Sequence, residues 1–340
     1  MGRGAGSLGR YGQVLSVSAA ALTKEQGAWD VRRLSRSDWV LFFWLLSAAV
    51  FAAERPDWAF PVADKVPPPT NEDGPPKTLS GSGKSYTQKE IDDLKNPPDW
   101  FPDLHSAMPP VVAQGSATFA CGSCHLPTGT GHDESAYIAG LPAAYFVRQM
   151  ADFKSGTRKG FGKMPEIAQA LSDEEVRAAA EYFASLKARP WVRVVETDTV
   201  PRTYVNEGNM RLALAAGGTE PIGNRIVELP ENAEAAIARD PRSGFIAYAP
   251  PGSIARGQAL VATGGGETMA CAVCHSRDLR GVGAIPGIAG RHTGYTVRQL
   301  YFFQDGSRSG PAEALMHNVV LRLTSEDMLA IAAYLASLPP

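Results

Sequence analysis

All four cysteines sit in two five-residue motifs, Cys121-Gly122-Ser123-Cys124-His125 and Cys271-Ala272-Val273-Cys274-His275. Two thiols separated by two residues and followed at once by an imidazole suit covalent haem attachment. Each thiol adds across one vinyl group, and the adjacent His reaches the iron from one face. Similar spacings occur in disulfides, thioredoxin-like redox pairs and zinc sites. A redox pair leaves the His after both motifs unexplained. A tetrahedral zinc site would have to join motifs 147 residues apart, leaving half a site in each. The pattern therefore predicts two covalently attached haem c groups on Cys121, Cys124, Cys271 and Cys274, with His125 and His275 as axial iron ligands.

A sixth ligand must come from each copy of a repeat. At an offset of 150 residues Tyr145 meets Tyr295, Val147-Arg148-Gln149 meets Val297-Arg298-Gln299, and Phe153, Gly156 and Arg158 meet Phe303, Gly306 and Arg308. Two residues are then inserted, and at an offset of 152 Met164 meets Met316 and Leu171-Ser172 meets Leu323-Thr324. A thioether is a soft ligand suited to ferrous iron, so Met164 and Met316 are the expected sixth ligands. His317 stands beside Met316 as a rival. Met150 and Met328 lie inside apolar helices and read as core packing. His105, His132 and His292 have no counterpart in the other copy and read as structural or solvated.

Helices must carry these ligands. Residues 142–154 place Tyr145, Phe146, Met150 and Phe153 at near-helical spacing, with Gly156 as a stop. Ser172 and Glu175 form a capping box that opens a helix over 173–187, and Thr324 with Asp327 opens its equivalent. A short helix leads into each Cys motif, over 257–262 and, less plainly marked, 111–114. Tyr145 and Tyr295 start the middle helix, where a phenol either bonds a haem propionate or packs. Arg148 and Arg298 either neutralise propionates or face solvent. Arg148, Lys154, Arg158, Lys159 and Lys163 give a basic bias that would steer an acidic redox partner.

The chain thus divides into an N-terminal extension or signal peptide (1–53), a Pro-rich linker (54–86), a first haem unit (87–190), an insertion (191–251) and a second haem unit (252–340). The insertion is too long for a bare connector. Short strand-like runs at 192–195 and 225–229 predict ordered structure there, such as a β-hairpin.

These features resemble the tandem di-haem class I c-type cytochromes. The resemblance rests on the two Cys-x-x-Cys-His motifs, the run from Pro142 to Arg158, Lys163-Met164-Pro165, and the closing 181–186 and 333–338 segments. It spans about 190 of the 340 residues. It implies an all-α fold: two cytochrome c-like haem domains in tandem, each with His and Met axial ligands, separated by an irregular or small β insertion. In that family a Pro carbonyl often orients the ligand His. Pro286 stands there in the second unit, but the first has Ala136, so that contact is in doubt.

Residues 39–53 are an uncharged, mostly apolar run preceded by Arg32, Arg33 and Arg36, as in a secretory signal cleaved after Ala52. The run is shorter than a bilayer-spanning helix, and membrane association follows only if it stays uncleaved. The leader before it is long for a signal, which suggests a translation start near Val31. Export would place the chain in the periplasm. A net charge of -2 gives no reason to expect a nucleic-acid partner. Matched Met residues in both copies favour an electron carrier over an enzyme, since a di-haem peroxidase needs one open iron. Redox protein partners follow: a periplasmic dehydrogenase, a terminal oxidase or another cytochrome. A cytochrome subunit of a periplasmic dehydrogenase complex shares the same chemistry.

Overall fold

The computed structural model describes residues 55–64, 74–115 and 117–340. The apolar run at 39–53, with its expected cleavage point and the suggested start at Val31, lies outside the described residues.

Each Cys motif forms about one turn of helix, and longer helices pack behind it. The first unit contains α1 (Pro110–Ala113), α2 (Cys121–His125), α3 (Ala143–Ser155), α4 (Met164–Ala170) and α5 (Asp173–Ser185). The second contains α6 (Ser253–Thr263), α7 (Ala272–His275), α8 (Thr293–Gln304), α9 (Ala314–Val320) and α10 (Ser325–Ser337). Helix α3 stops because Gly156 takes φ of 78°, a conformation that costs a glycine little. Helix α5 starts at the Ser172–Glu175 capping box and α10 at the Thr324–Asp327 box. Each box satisfies backbone amides that the first helical turn leaves without partners.

The apolar faces build two cores. In the first, Met150 and Phe153 of α3 meet Val176, Ala179 and Phe183 of α5. In the second, Leu260 and Val261 of α6 meet Val297 and Leu300 of α8 and Met328, Leu329 and Ala332 of α10. Each such large side chain contributes about 1.5–3 kcal/mol on burial. Helices α6 and α10 cross closely at Gly257, where a β-carbon would lie 2.0 Å from the Ala330 carbonyl oxygen. Before its Cys motif the first unit has only short turns among the described residues: Gln88–Ile91, Pro102–Leu104 and α1.

The two units are mainly helical, although the second also holds a short antiparallel ladder, Gly281–Val282 with Ile285–Pro286, and the insertion carries the β structure expected of it. Strands β1 (Val192–Glu196), β2 (Val227–Pro230) and β3 (Phe245–Ala249) form a sheet with β3 in the middle. β1 runs parallel to β3 and β2 antiparallel to it, so the two runs read from the sequence flank β3 rather than forming a hairpin. A parallel pair requires a long crossover, which residues 197–244 supply. Two small antiparallel ladders lie within that crossover, Thr199–Pro201 with Thr219–Pro221 and Thr203–Val205 with Arg211–Ala213.

The segment read as a linker is docked over residues 55–64. Ala59 is buried, Trp58 and Phe60 pack against the second core, and the Ala59 carbonyl accepts from Arg298 at 2.8 Å. Polar contacts fix its ends: Arg55 pairs with Asp305, and the Asp64 amide donates to the Val205 carbonyl at 3.0 Å. His292 is structural. It caps α8, is fully buried, bonds Glu228 of β2 through Nδ1, and reaches the Thr130 carbonyl through Nε2 at 3.1 Å. Both nitrogens face acceptors, which favours the imidazolium. Burial opposes that charge, but Glu228 outweighs burial and raises the His292 pKa. Burial likewise pushes Glu228 up, yet the His292 charge and the bonds from His292 and Thr293 hold it below its usual value.

Candidate haem sites

In the first unit Cys121, Cys124, His125 and Met164 line one apolar cavity with Phe119, Phe146, Met150 and Ile167. Helix α2 brings both thiols and the imidazole to it, and α4 begins with Met164. The His125 Nδ1 lies 2.8 Å from the Ala136 carbonyl oxygen. A carbonyl only accepts, so Nδ1 carries the hydrogen and Nε2 keeps its lone pair for a metal. Burial lowers the His125 pKa and keeps the ring neutral, as a ligand must be.

The second unit repeats the histidine contact. His275 Nδ1 lies 2.9 Å from the Pro286 carbonyl oxygen, and burial again lowers the pKa. The doubt raised by Ala136 is thereby removed, because the contact uses the backbone and needs no proline. Cys271 and Met316 pack against the same core. The rival His317 turns its Nδ1 to the Phe303 carbonyl at 2.8 Å.

None of the four cysteines forms a disulfide. Burial pushes the Cys121 thiol up to about 12 and the Cys271 thiol to about 11. Such thiols are poor thiolate nucleophiles and poor zinc ligands without a partner charge. An apolar cavity lined by two thiols, an imidazole presenting a free lone pair and a thioether fits a covalently attached haem. The chain carries two such groups, at Cys121/Cys124 and Cys271/Cys274.

The tyrosines and arginines singled out from the repeat occupy different places. Tyr145 and Tyr295 meet in a buried cluster between the two units. Arg308 donates to the Tyr145 hydroxyl at 2.9 Å and Arg158 to the Tyr295 hydroxyl at 3.2 Å. Each arginine also donates to both glutamines of the repeat. Arg158 reaches Gln149 at 2.7 Å and Gln299 at 3.0 Å, and Arg308 reaches Gln149 at 2.6 Å and Gln299 at 2.9 Å. Reciprocal backbone bonds, Lys159 to Ser307 and Ser309 to Thr157, both 2.8 Å, seal the contact. Arg148 lies over the Tyr145 ring and donates to the Ala284 carbonyl at 3.3 Å. Arg298 is buried and donates to the Ala59 and Asp133 carbonyls.

Arg158, Arg308, Gln149 and Gln299 were missed as site residues. Their signal was polar identity in both copies, Gln149 and Gln299 within α3 and α8 and Arg158 and Arg308 in the loops just after them. The Nε atoms of Arg158 and Arg308 are buried without a hydrogen-bond partner, and the nearest carboxylate to Arg308, Glu313, is 3.9 Å away. Two buried guanidinium groups with spare donors suit an anionic group such as a haem propionate. The basic face read from the sequence is dispersed as a result. Arg158 is buried, Lys154 pairs with Asp173 at 3.0 Å, and Lys163 pairs with Glu166 at 3.1 Å.

Comparison with known proteins agrees with this geometry. A cytochrome c family model matches residues 254–339, and the model for cytochrome C oxidase, cbb3-type, subunit III matches residues 110–183. The chain is 28% identical over 243 residues to the thiosulfate dehydrogenase electron acceptor of Thiomonas intermedia (strain K12), covering 70% of this chain and 84% of that protein. It is 25% identical over 246 residues to cytochrome c4 of Azotobacter vinelandii, covering 69% and 91%. It is 35% identical over 68 residues to cytochrome c-554(548) of Halomonas halodenitrificans (strain ATCC 12084 / NCIMB 8669), covering 20% of this chain and 82% of that protein.

Proposed function

Since the chain belongs to the c-type cytochromes, as a tandem di-haem class I member, we propose that each iron is closed by a His and a Met, His125 with Met164 and His275 with Met316. It is an electron-transfer protein. When bound, each haem supplies a one-electron iron couple. The chain's own residues tether it, orient the imidazole, exclude water and set the surrounding charge.

The observation that carries this reading is the shared cavity in which Cys121, Cys124, His125 and Met164 meet among apolar side chains. A saturated iron leaves no position for substrate, so the chain acts as a carrier rather than a peroxidase. Arg158 and Arg308 would neutralise propionates where the two units meet, the Tyr145 and Tyr295 hydroxyls would hydrogen-bond them, and Arg148 borders that cluster. Arg298 serves the docked N-terminal segment instead. The chain works in the periplasm, and its donor is a dehydrogenase, by likeness to the thiosulfate dehydrogenase electron acceptor.

Among the described residues no helix is long and apolar enough to cross a membrane. Mixing the oxidised holoprotein with a thiosulfate dehydrogenase and thiosulfate tests the donor. Rapid reduction of both haems supports it, and no reduction removes that partner. Peroxide-dependent turnover of a reduced cytochrome would instead favour the enzyme.

A further inference from the structure

The two Cys motifs differ sharply in what covers them. In the first, the Ser123 side chain is fully buried and its backbone carbonyl accepts from Arg239. Trp100 is buried and donates to the Ala238 carbonyl at 2.7 Å, and the Ala120 amide bonds the Leu94 carbonyl at 2.9 Å. A β-carbon at Gly122 would lie 2.8 Å from the Val112 carbonyl oxygen and 3.8 Å from Pro97. The chain's own residues 94–100 and 238–239 therefore cap the thioether edge of the first haem.

The second motif has no such cap. Val273, the counterpart of Ser123, is 70% exposed, Met269 is 54% exposed, and Leu315, next to the ligand Met316, is 72% exposed. Met269 and Val273 flank Cys271 in sequence, and Leu315 precedes Met316. Cys271 and Met316 share a core, and Thr268 ties its loop to the Val319 carbonyl of α9. Arg322 reaches over that loop to the Glu267 and Gly266 carbonyls, at 3.2 and 3.3 Å. Exposed large apolar side chains gathered around a functional edge mark an interaction site.

Charge narrows the partner. Arg277, Arg280 and Arg322 are exposed at this rim, against Glu267 and Asp278. The rim is thus biased towards cations, which favours a partner bearing carboxylates.

We propose that the chain exchanges electrons with its partner at the thioether edge of the second unit. There Met269, Val273 and Leu315 form an apolar docking face within the arginine rim. The partner is a one-electron redox protein whose apolar contact patch is bordered by carboxylates. This rests on the carrier reading above. One electron passes between the second iron and the partner's centre, so that one is oxidised as the other is reduced. No bond breaks and no proton moves.

The test uses the full holoprotein and an acidic blue-copper protein as probe, with binding followed by calorimetry at low ionic strength. Val273→Asp and Leu315→Asp should each weaken binding about tenfold or more, since a charge in the centre of an apolar contact is left unpaired. Val62→Asp, at a site 78% exposed elsewhere, should bind as the wild type does. Added salt should weaken wild-type binding. Leu315→Asp keeps the test open if a change between the two cysteines impairs haem attachment. No wild-type binding, or equal weakening by all three variants, overturns the proposal. So does wild-type affinity in both test variants. Failure of the wild-type irons to cycle reversibly between two one-electron states would instead refute the carrier reading.

Discussion

The crossing of α6 and α10 gives a sharp prediction for Gly257→Val. A β-carbon there would lie 2.0 Å from the Ala330 oxygen and 2.7 Å from the Tyr334 β-carbon, where ordinary contact begins at 3.4 Å. The helices must therefore part by about 1.4 Å, the difference between 3.4 and 2.0 Å. A gap of that size forfeits more than half of the dispersion attraction across the contact. Overpacking alone costs about 1–3 kcal/mol, and loosening Leu260, Val261 and Ala330 adds to it, so about 3 kcal/mol is expected. Because the described residues all belong to one compact body, that lowers the melting temperature by about 6–12 °C. The control is Ala107→Val, at the position equivalent by the repeat, which is exposed and should be neutral. Thermal unfolding of the holoprotein, followed in the haem absorbance region, measures both. Wild-type melting of Gly257→Val would refute the claim that this close approach organises the second unit.

Other outcomes follow from the polar clusters and the ligand sets. Arg308→Leu removes donors to Tyr145, Gln149 and Gln299 and should cost about 1–3 kcal/mol in a urea titration. It also removes a buried cation between the units, so both haem potentials should fall, and unchanged potentials would contradict its place in the site. The Glu228–His292 pair has a pH window. The Glu228 share is present above 4.5 and lost as pH falls through its lowered folded value. The His292 share is present below 6.5 and lost as pH rises through its raised folded value. The stability difference between wild type and a Glu228→Leu, His292→Leu double variant should thus peak between pH 4.5 and 6.5. Asp133, pushed up to about 6 by burial and the neighbouring Glu228 charge, changes when Glu228 and His292 are lost, so both chains carry Asp133→Asn to remove its titration from the comparison. A flat urea-midpoint difference across pH would count against the pair. His317→Ala should leave the spectrum of the second haem unchanged, since that ring bonds the Phe303 carbonyl.

What the sequence revealed was local. Cys and His at fixed spacing, a capping hydroxyl three residues before its carboxylate, and a terminal glycine each act within one turn of chain. The repeat added Met164 and Met316 by register. Contacts between distant segments were not legible. Arg158 and Arg308 looked like surface charge because nothing in a linear repeat says that its two copies pack face to face. Strand β3, Phe-Ile-Ala-Tyr-Ala, was missed because a short apolar run between strands fits several structures. The docking of Trp58, Ala59 and Phe60 was hidden among prolines that resemble a spacer. Ala136 looked unable to serve His125 because a proline was sought where only a carbonyl is needed.

The central claim is that a thioether closes each of the two irons. A potentiometric titration of the holoprotein, read in the visible and near-infrared, tests it directly alongside Met164→Ala and Met316→Ala. Two equivalents of the methionine–iron band should appear in the oxidised wild type, with one lost in each variant. A wild-type spectrum showing exchangeable water or a second imidazole on either iron would contradict it.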